Sequence, residues 1–145
     1  MTTPTAFDAD VLIYAATKGH PLGPRIATLL GDTDIDEARI GSVLLLPEVL
    51  TKPMRRDPDS AETAALVSLL SRLELRPFNE PTARLSLALA IRYGLRAADA
   101  AHLATAVAAG AGRFVTNNRK DFPTTITEIA VTYPEDLPEG TSSSE

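Results

Sequence analysis

Hydrophobic and polar positions along the chain form short blocks of two kinds. Five blocks are short apolar runs typical of buried strands, at residues 5–7, 38–42, 73–78, 113–117 and 129–133. Between them apolar residues recur at helical spacing, at residues 11–18, 25–30, 42–56, 60–73, 79–95 and 97–110. Strands that alternate with helices predict an α/β fold, with a central, mostly parallel sheet in a three-layer α/β/α sandwich.

Short polar residues and glycine mark where several predicted helices begin and end. Asp10 precedes the apolar run VLIYAATK and is predicted to be its N-cap. Asp59 opens a capping-box pattern before the fourth helix. Ser42 is the candidate cap of the third helix, but Pro47 requires a kink there or a later start. Gly94 is predicted to end the fifth helix.

Length and composition predict one domain with a substantial core. The chain has 145 residues, of which 44% are hydrophobic. We expect a domain over residues 1–134 and an acidic, disordered tail over residues 135–145, which is rich in Pro, Gly and Ser. The chain has no cysteine, which excludes disulfides and thiolate metal sites. No stretch has the roughly 20 apolar residues of a membrane span, and no secretory signal is evident, so we expect a cytoplasmic protein.

The overall charge limits which partners the chain can bind unaided. The formal net charge is -5 at pH 7. A free acidic protein repels nucleic acid at long range, which argues against a simple electrostatic RNA or DNA binder. Divalent cations held at a site would reverse the local sign of the charge. Nucleic-acid chemistry therefore remains open only at a metal-loaded site.

Four acidic residues interrupt segments that otherwise read as buried. Asp8 follows the first predicted strand, and Asp121 lies just beyond the fourth. Glu48 and Asp99 fall in early helical turns. In a parallel α/β domain these positions share one edge of the sheet. Taken singly, each acid also fits a cap, a turn or a surface salt bridge, so a chemical role depends on the whole set.

Such acids would need a counter-charge if they met at one point. Two like charges about 5 Å apart repel by roughly 3 kcal/mol at an effective dielectric constant near 20. Several such pairs would consume much of a typical stability of ~5–15 kcal/mol, unless some acids were protonated or bound cations. Oxygen ligands without thiols favour Mg²⁺ or Mn²⁺. Ions held in this way can activate water and stabilise the oxygens of a phosphodiester during its cleavage.

Four segments in this order resemble the PIN-domain family, in particular the VapC-type toxins of bacterial toxin–antitoxin pairs. They are FDADVLIYA, SVLLLPEVL, GLRAADAAHLATA and FVTNNRKDF, and the resemblance extends over residues 6–134. It implies that Asp8 and Asp99 are metal ligands, with Glu48 and Asp121 completing the acidic site. Asn118 stands where many relatives have Asp. The resemblance also implies three supporting positions around the metal, at Asp10, Thr116 and Asn118.

The same resemblance implies an activity and partners. Members are Mg²⁺- or Mn²⁺-dependent endoribonucleases in which a metal-activated water attacks the RNA phosphorus. They are inhibited by a small cognate antitoxin protein and are frequently homodimers. Basic residues near the predicted site are then candidates to contact RNA phosphates: Arg55, Arg56, Arg92, Arg96, Arg119 and Lys120.

Two other functions are compatible with these residues. A decayed nuclease could keep the fold and serve only as a protein-binding module, and Asn118 in place of an acid makes this conceivable. The segment DADVL also nearly matches the opening motif of haloacid-dehalogenase-type phosphatases, where Asp8 would be the nucleophile. Leu12 departs from that motif, and the later acidic pair of that family is absent.

Overall fold

A five-stranded, all-parallel sheet forms the centre of the fold. The computed structural model describes residues 3–31 and 37–139. The strands are β1 (Thr5–Phe7), β2 (Arg39–Ser42), β3 (Glu74–Arg76), β4 (Arg113–Val115) and β5 (Ala130–Thr132). Their order across the sheet is β3-β2-β1-β4-β5, and every neighbouring pair is parallel. The predicted α/β class with a parallel sheet is confirmed.

Helices cover both faces of this sheet. Within the described residues they are α1 (Ala9–Ala16), α2 (Gly23–Gly31), α3 (Leu45–Arg56), α4 (Ala61–Leu70), α5 (Glu80–Tyr93) and α6 (Ala97–Ala108). Because successive strand side chains point to opposite faces, Phe7 and Val115 pack in a core with α1 to α4. Ala6 and Phe114 pack in a second core with α5 and α6. The fold is therefore the predicted three-layer sandwich.

The chain reverses its direction of travel across the sheet at β1. It proceeds outward through β2 and β3 on one side, and then crosses back to add β4 and β5 on the other. The carboxyl ends of β1 and β4 consequently lie next to each other at the topological switch point. In open α/β sheets this is where ligands bind.

The first helix begins directly where β1 ends. The Asp8 amide donates to the Val115 carbonyl at 2.9 Å, which continues the sheet pairing as far as Asp8. Asp8 is then the N-cap of α1, and its carboxylate accepts a hydrogen bond from the Ala9 amide at 2.8 Å. The prediction that Asp10 is the cap was wrong, because strand pairing fixes the start of the helix two residues earlier. Asp10 lies in the first turn.

The other predicted helix boundaries hold to within a few residues. Ser60, rather than Asp59, caps α4 and accepts a hydrogen bond from a first-turn amide at 3.1 Å. Helix α3 begins at Leu45, after Ser42, so Pro47 falls in the first turn, where its missing amide hydrogen leaves no helical bond unmade. The later start anticipated from Pro47 is thereby confirmed.

The C-terminal segment packs on the domain beyond the predicted boundary at residue 134. A short 3₁₀ helix spans Pro134–Asp136, and Leu137 is buried in the core with α1 and α2. Arg25 donates to the Glu135 and Leu137 carbonyls, both at 2.8 Å. Residues 135–137 thus belong to the fold rather than to the predicted tail, and residues 140–145 lie outside the described part. No described helix is long and apolar enough to cross a membrane.

Candidate active site

Asp8 is the most buried acid at the carboxyl end of the sheet. Its residue surface is only 5% exposed. One carboxylate oxygen caps α1, and the other accepts a hydrogen bond from the Thr116 hydroxyl at 2.8 Å. Thr116 directly follows β4 and is fully buried. Burial raises the pKa of Asp8 above its ordinary value, although the His102 charge and these two hydrogen bonds oppose the shift. Asp8 is therefore held rigidly, and its negative charge is only partly compensated.

Asp10 lies two residues further along α1 and faces the same site. Its Oδ2 accepts a hydrogen bond from the Asn117 amide at 3.0 Å. Its Oδ1 is buried and has no hydrogen-bond partner among the described residues. Burial, followed by repulsion from Asp8, raises the pKa of Asp10 to about 7. A buried carboxylate oxygen without a donor is poised for a proton or a cation.

Asp99 approaches the same site from the first turn of α6. Burial raises the pKa of Asp99, and the negative charges of Asp8, Asp121 and Glu48 raise it further, in that order. Asp99 therefore lies within electrostatic range of all three other acids predicted from the sequence. The structure brings these four acids to one end of the sheet, as their positions in the sequence predicted.

Glu48, in the first turn of α3, is hydrogen-bonded to the buried His102 Nε2. This hydrogen bond lowers the pKa of Glu48. Burial alone would lower the pKa of His102, but the hydrogen bond to Glu48 and the nearby charge of Asp8 raise it overall. The Glu48 side chain keeps 39% of its surface exposed, so it forms the solvent-facing side of the site. His102 lies three residues after Asp99 on the same face of α6.

Asp121 is positioned by Asn118 rather than standing alone. The Asn118 side-chain amide donates to Asp121 Oδ2 at 3.0 Å. The Asn118 backbone amide donates to the Thr116 hydroxyl oxygen at 3.1 Å. A continuous hydrogen-bonded path therefore leads from Asp121 through Asn118 and Thr116 to Asp8. Asn118 therefore uses its side-chain amide to hold the fourth acid.

The oxygen atoms of these five acids suit a divalent cation chemically. Their side chains, however, are not oriented as a ligand set. No three acidic or histidine side chains in residues 3–31 and 37–139 form a ready-made ligand set. Glu48 is hydrogen-bonded to His102, and Asp121 to Asn118. The donors are nevertheless hard oxygens, the type that Mg²⁺ and Mn²⁺ prefer. Asp10 has a buried oxygen without a hydrogen-bond partner, and its pKa is raised. Both observations indicate negative charge that a cation would neutralise.

Two contributions to the site were not fully predicted from the sequence. Asp10 was predicted to cap α1 and to be a supporting position around the metal, but not to be a member of the acidic cluster itself. The role of His102 was not predicted, because its pairing with Glu48 spans 54 residues and leaves no local sequence signal. The DAD spacing is the signal that could have identified Asp10, because a helix capped by the first Asp carries the second in its first turn.

Some of the basic residues predicted to contact RNA phosphates are already paired with acids. The pairs are Arg56–Glu62, Arg92–Glu128 and Arg119–Glu135. The Arg119 guanidinium also lies 4.2 Å from the Tyr133 ring centroid. Arg96 immediately precedes α6, three residues before Asp99, and has no ion pair with another described residue. Arg96 is therefore better placed than Arg119 to meet a phosphate at the site.

Glu48 also borders a groove between α1, α3 and α4. The groove has a volume of about 270 Å³. Apolar residues Ile13 and Leu66 line it together with the charged residues Lys52 and Arg56. Ile13 is 42% exposed, a large fraction for an isoleucine. A mixed apolar and charged surface therefore adjoins the acidic cluster.

Comparisons with known proteins concern the fold of the chain. A family model described as "PIN domain" matches residues 6–125. The comparison with curated protein sequences gives no significant match. Among solved structures, VapBC2 from Rickettsia felis bound to a promoter DNA fragment has a TM-score of 0.71 at 20% identity, covering 90% of this chain and 98% of that chain.

Two further solved structures have the same fold. A toxin–antitoxin complex from Klebsiella pneumoniae has a TM-score of 0.67 at 24% identity, covering 90% of this chain and 97% of that chain. FitAcB from Neisseria gonorrhoeae has a TM-score of 0.69 at 21% identity, covering 92% and 99%. At these identities the likeness establishes the fold alone.

Proposed function

Because the chain belongs to the PIN-domain family, we propose that it is a Mg²⁺- or Mn²⁺-dependent endoribonuclease and the toxin of a toxin–antitoxin pair. The observation that carries the proposal is the cluster of five acids at the topological switch point, with the pKa values of Asp8, Asp10 and Asp99 all raised. The family match removes the basis for the haloacid-dehalogenase alternative. The non-catalytic binding module is the remaining alternative.

The buried acids would hold the cation. Asp8 and Asp99 are the proposed main ligands, and the free oxygen of Asp10 lies beside them. Thr116 fixes the Asp8 carboxylate, and Asn118 fixes that of Asp121. When bound, the cation supplies an activated water and stabilises charge on the phosphodiester oxygens. Because Glu48 and Asp121 are hydrogen-bonded to other side chains, cation binding would require carboxylates of the cluster to turn from their present orientation.

Glu48 is the acid best placed to orient the attacking water. It is the most exposed of the cluster and faces solvent, whereas Asp8 is buried beneath it. The hydrogen bond to His102 lowers the pKa of Glu48 and so favours its ionised form. An ionised carboxylate accepts a hydrogen bond from water and aligns it for attack. Arg96 would hold a substrate phosphate from the adjacent helix end.

A protein partner is proposed for the groove beside Glu48. One of the similar structures is named as VapBC2, and another as a toxin–antitoxin complex. An antitoxin segment with apolar side chains and an acidic group would complement the exposed Ile13 and Lys52, because Arg56 is already paired with Glu62 in the same groove. A segment bound there would also cover Glu48 and block the site. We further propose that this protein is cytoplasmic and forms homodimers.

Cleavage of a labelled single-stranded RNA in the presence of Mn²⁺ tests the proposed activity. We expect cleavage by the wild-type chain, no cleavage in EDTA, and no cleavage by an Asp99→Asn variant purified in the same way. The matched control is Asp59→Asn, which neutralises an exposed acid outside the site and should cleave normally. Equal cleavage by wild type and Asp99→Asn would refute the proposed site. Mn²⁺ binding without any cleavage would favour the binding module.

Induced expression in a bacterium tests the proposed toxin role separately. The wild-type chain should arrest growth, and Asp99→Asn should not. Light scattering of the purified chain gives its oligomeric state. Growth that is unaffected by an active, cleaving enzyme would leave the nuclease proposal intact and contradict the toxin proposal.

A further inference from the structure

Two stacked aromatic rings lie beside the acidic cluster. The Tyr14 ring on α1 and the His20 ring in the following loop have centroids 4.1 Å apart and planes inclined by 11°. Tyr14 comes four residues after Asp10, so the two side chains share one face of α1, about 6 Å apart along its axis. The reaction proposed above uses neither ring.

Asn117 ties this aromatic pair to the site. Its backbone amide donates to Asp10 Oδ2 at 3.0 Å, and its side-chain amide donates to the Tyr14 hydroxyl oxygen at 3.2 Å. Asn117 alone therefore fixes both an acid of the cluster and the neighbouring ring. The distance from the rings to the acids is consequently set by hydrogen bonds rather than by loose side chains.

A hydrogen bond and two glycines fix the conformation of the loop that carries His20. His20 Nδ1 accepts a hydrogen bond from the Leu22 amide at 3.1 Å, which leaves Nε2 as the protonated nitrogen. Gly19 has a φ of +82°, a conformation that favours glycine. A Cβ at Gly23 would lie 2.5 Å from the Tyr14 carbonyl oxygen, so only glycine permits this close approach. The ring of His20 is thus held in place before any ligand arrives.

His20 borders a groove large enough for a nucleotide. The groove has a volume of about 470 Å³ and is lined by Lys18, His20, Pro21 and Pro24, among others. Small-ligand sites have volumes of roughly 300–1,000 Å³. Because Tyr14 covers one face of the imidazole, a base that stacks on His20 would lie against the other face. His20 and the exposed Lys18 both line this groove, so an aromatic ring and a cation border the same space.

We propose that this groove is a nucleotide subsite that stacks one base of the RNA substrate on His20, with Tyr14 supporting the ring and Lys18 contacting a phosphate. The proposal rests on the proposed ribonuclease function and adds a substrate-positioning site to it. Stacking on an aromatic side chain tolerates any base, and it requires an unpaired one. The subsite therefore selects single-stranded RNA and holds one of its nucleotides where α1 ends, on a surface separate from the acidic cluster.

The test compares KM and kcat for Mn²⁺-dependent cleavage of a short labelled single-stranded RNA. His20→Leu and Tyr14→Leu remove the rings, whereas His20→Phe and Tyr14→Phe keep an aromatic surface. Loss of stacking on one base is expected to raise KM by roughly 5- to 150-fold for the Leu variant of His20, with kcat little changed. Each Phe variant should raise KM less than the Leu variant at the same position, because it keeps the stacking surface and loses only the hydrogen bond of the Tyr14 hydroxyl or of His20 Nδ1. Tyr93→Leu, on the distant α5, is the matched control.

A second measurement separates stacking from damage to the fold. In a series of RNAs that each lack one base, a single position should raise KM for the wild-type chain and have no added effect in His20→Leu. If the wild-type chain cleaves RNA but no missing base matters, or if both Leu variants keep the wild-type KM, the subsite is refuted while the nuclease stands. If the wild-type chain does not cleave RNA at all, both proposals fail. The Phe variants and the RNA series remain informative if a Leu variant does not fold.

Discussion

Replacing Asp10 with Asn should stabilise the protein when no metal is bound. Burial and the charge of Asp8 raise the pKa of Asp10 from 3.8 to about 7. The folded state therefore binds this proton more tightly than the unfolded chain does. Stability contributed by the protonated group is present at low pH and is lost as the pH rises from about 4 to about 7. Asp10→Asn removes the charge and keeps an oxygen that can accept from the Asn117 amide.

The size of the effect follows from the same pKa difference. At about 1.4 kcal/mol per pH unit, ionising Asp10 in the folded protein costs about 4 kcal/mol by pH 8. The variant loses a charge-assisted hydrogen bond from Asn117, which offsets on the order of 1 kcal/mol of this gain. We therefore expect Asp10→Asn to be more stable than wild type by about 1–3 kcal/mol at pH 8.

Urea unfolding in EDTA, followed by circular dichroism at pH 8 and at pH 4, measures this difference. The gain should be present at pH 8 and should vanish at pH 4, where wild-type Asp10 is protonated in the folded state. Asp59→Asn serves as the control and should change stability at neither pH, because Asp59 is exposed. An Asp10→Asn variant that is no more stable than wild type at pH 8, or equally stabilised at pH 4, would refute the assignment of Asp10 to a repulsive cluster.

Three further predictions concern the metal, the histidine and the C-terminal segment. Mn²⁺ at 100 times its Kd should stabilise the wild-type chain by about 2.7 kcal/mol, seen as a higher Tm, and should leave the Tm of Asp99→Asn unchanged. His102→Leu should destabilise the metal-free protein by about 1–3 kcal/mol near pH 6, because Glu48 loses its partner. Urea titrations should show that this loss of stability becomes smaller above the raised pKa of His102, where the wild-type histidine is neutral as well. Arg25→Ala should cost about 1–3 kcal/mol in urea unfolding, because two carbonyls of the C-terminal segment lose a charged donor.

Much of the fold follows from local pattern in the sequence. Each predicted strand contains an observed one, because short apolar runs between polar loops have few alternatives. Gly94 ends α5 with a φ of +66°, as a glycine after an amphipathic helix predicts. Leu137 was missed because one apolar residue in the polar segment PEDLPEG gives no periodic signal, although its side chain is buried.

The site is harder to predict than the fold because its contacts are distant in sequence. The position of an acid near a strand end can be inferred, and this placed Asp8 and Asp121 correctly. Which acid caps α1 depends on how far β1 pairs with β4, and no pattern within DAD contains that information. The pairing of His102 with Glu48 likewise depends on how the sheet positions α6 and α3, which pack in the cores on its two opposite faces. Local sequence thus locates the candidate acids, and tertiary packing decides what each one contacts.

The pairing of β1 with β4 has a consequence for the chain while it is being synthesised. Asp8 receives its second hydrogen bond from Thr116, 108 residues later. At roughly 5–20 residues per second, a ribosome needs about 5–20 s to make that stretch. No shorter nascent fragment contains both strands, so an emerging chain cannot complete its own acidic site. The proposed ribonuclease would therefore lack a complete site beside the messenger RNA that encodes it until Thr116 has been synthesised, and a proposed partner protein would have that interval in which to bind.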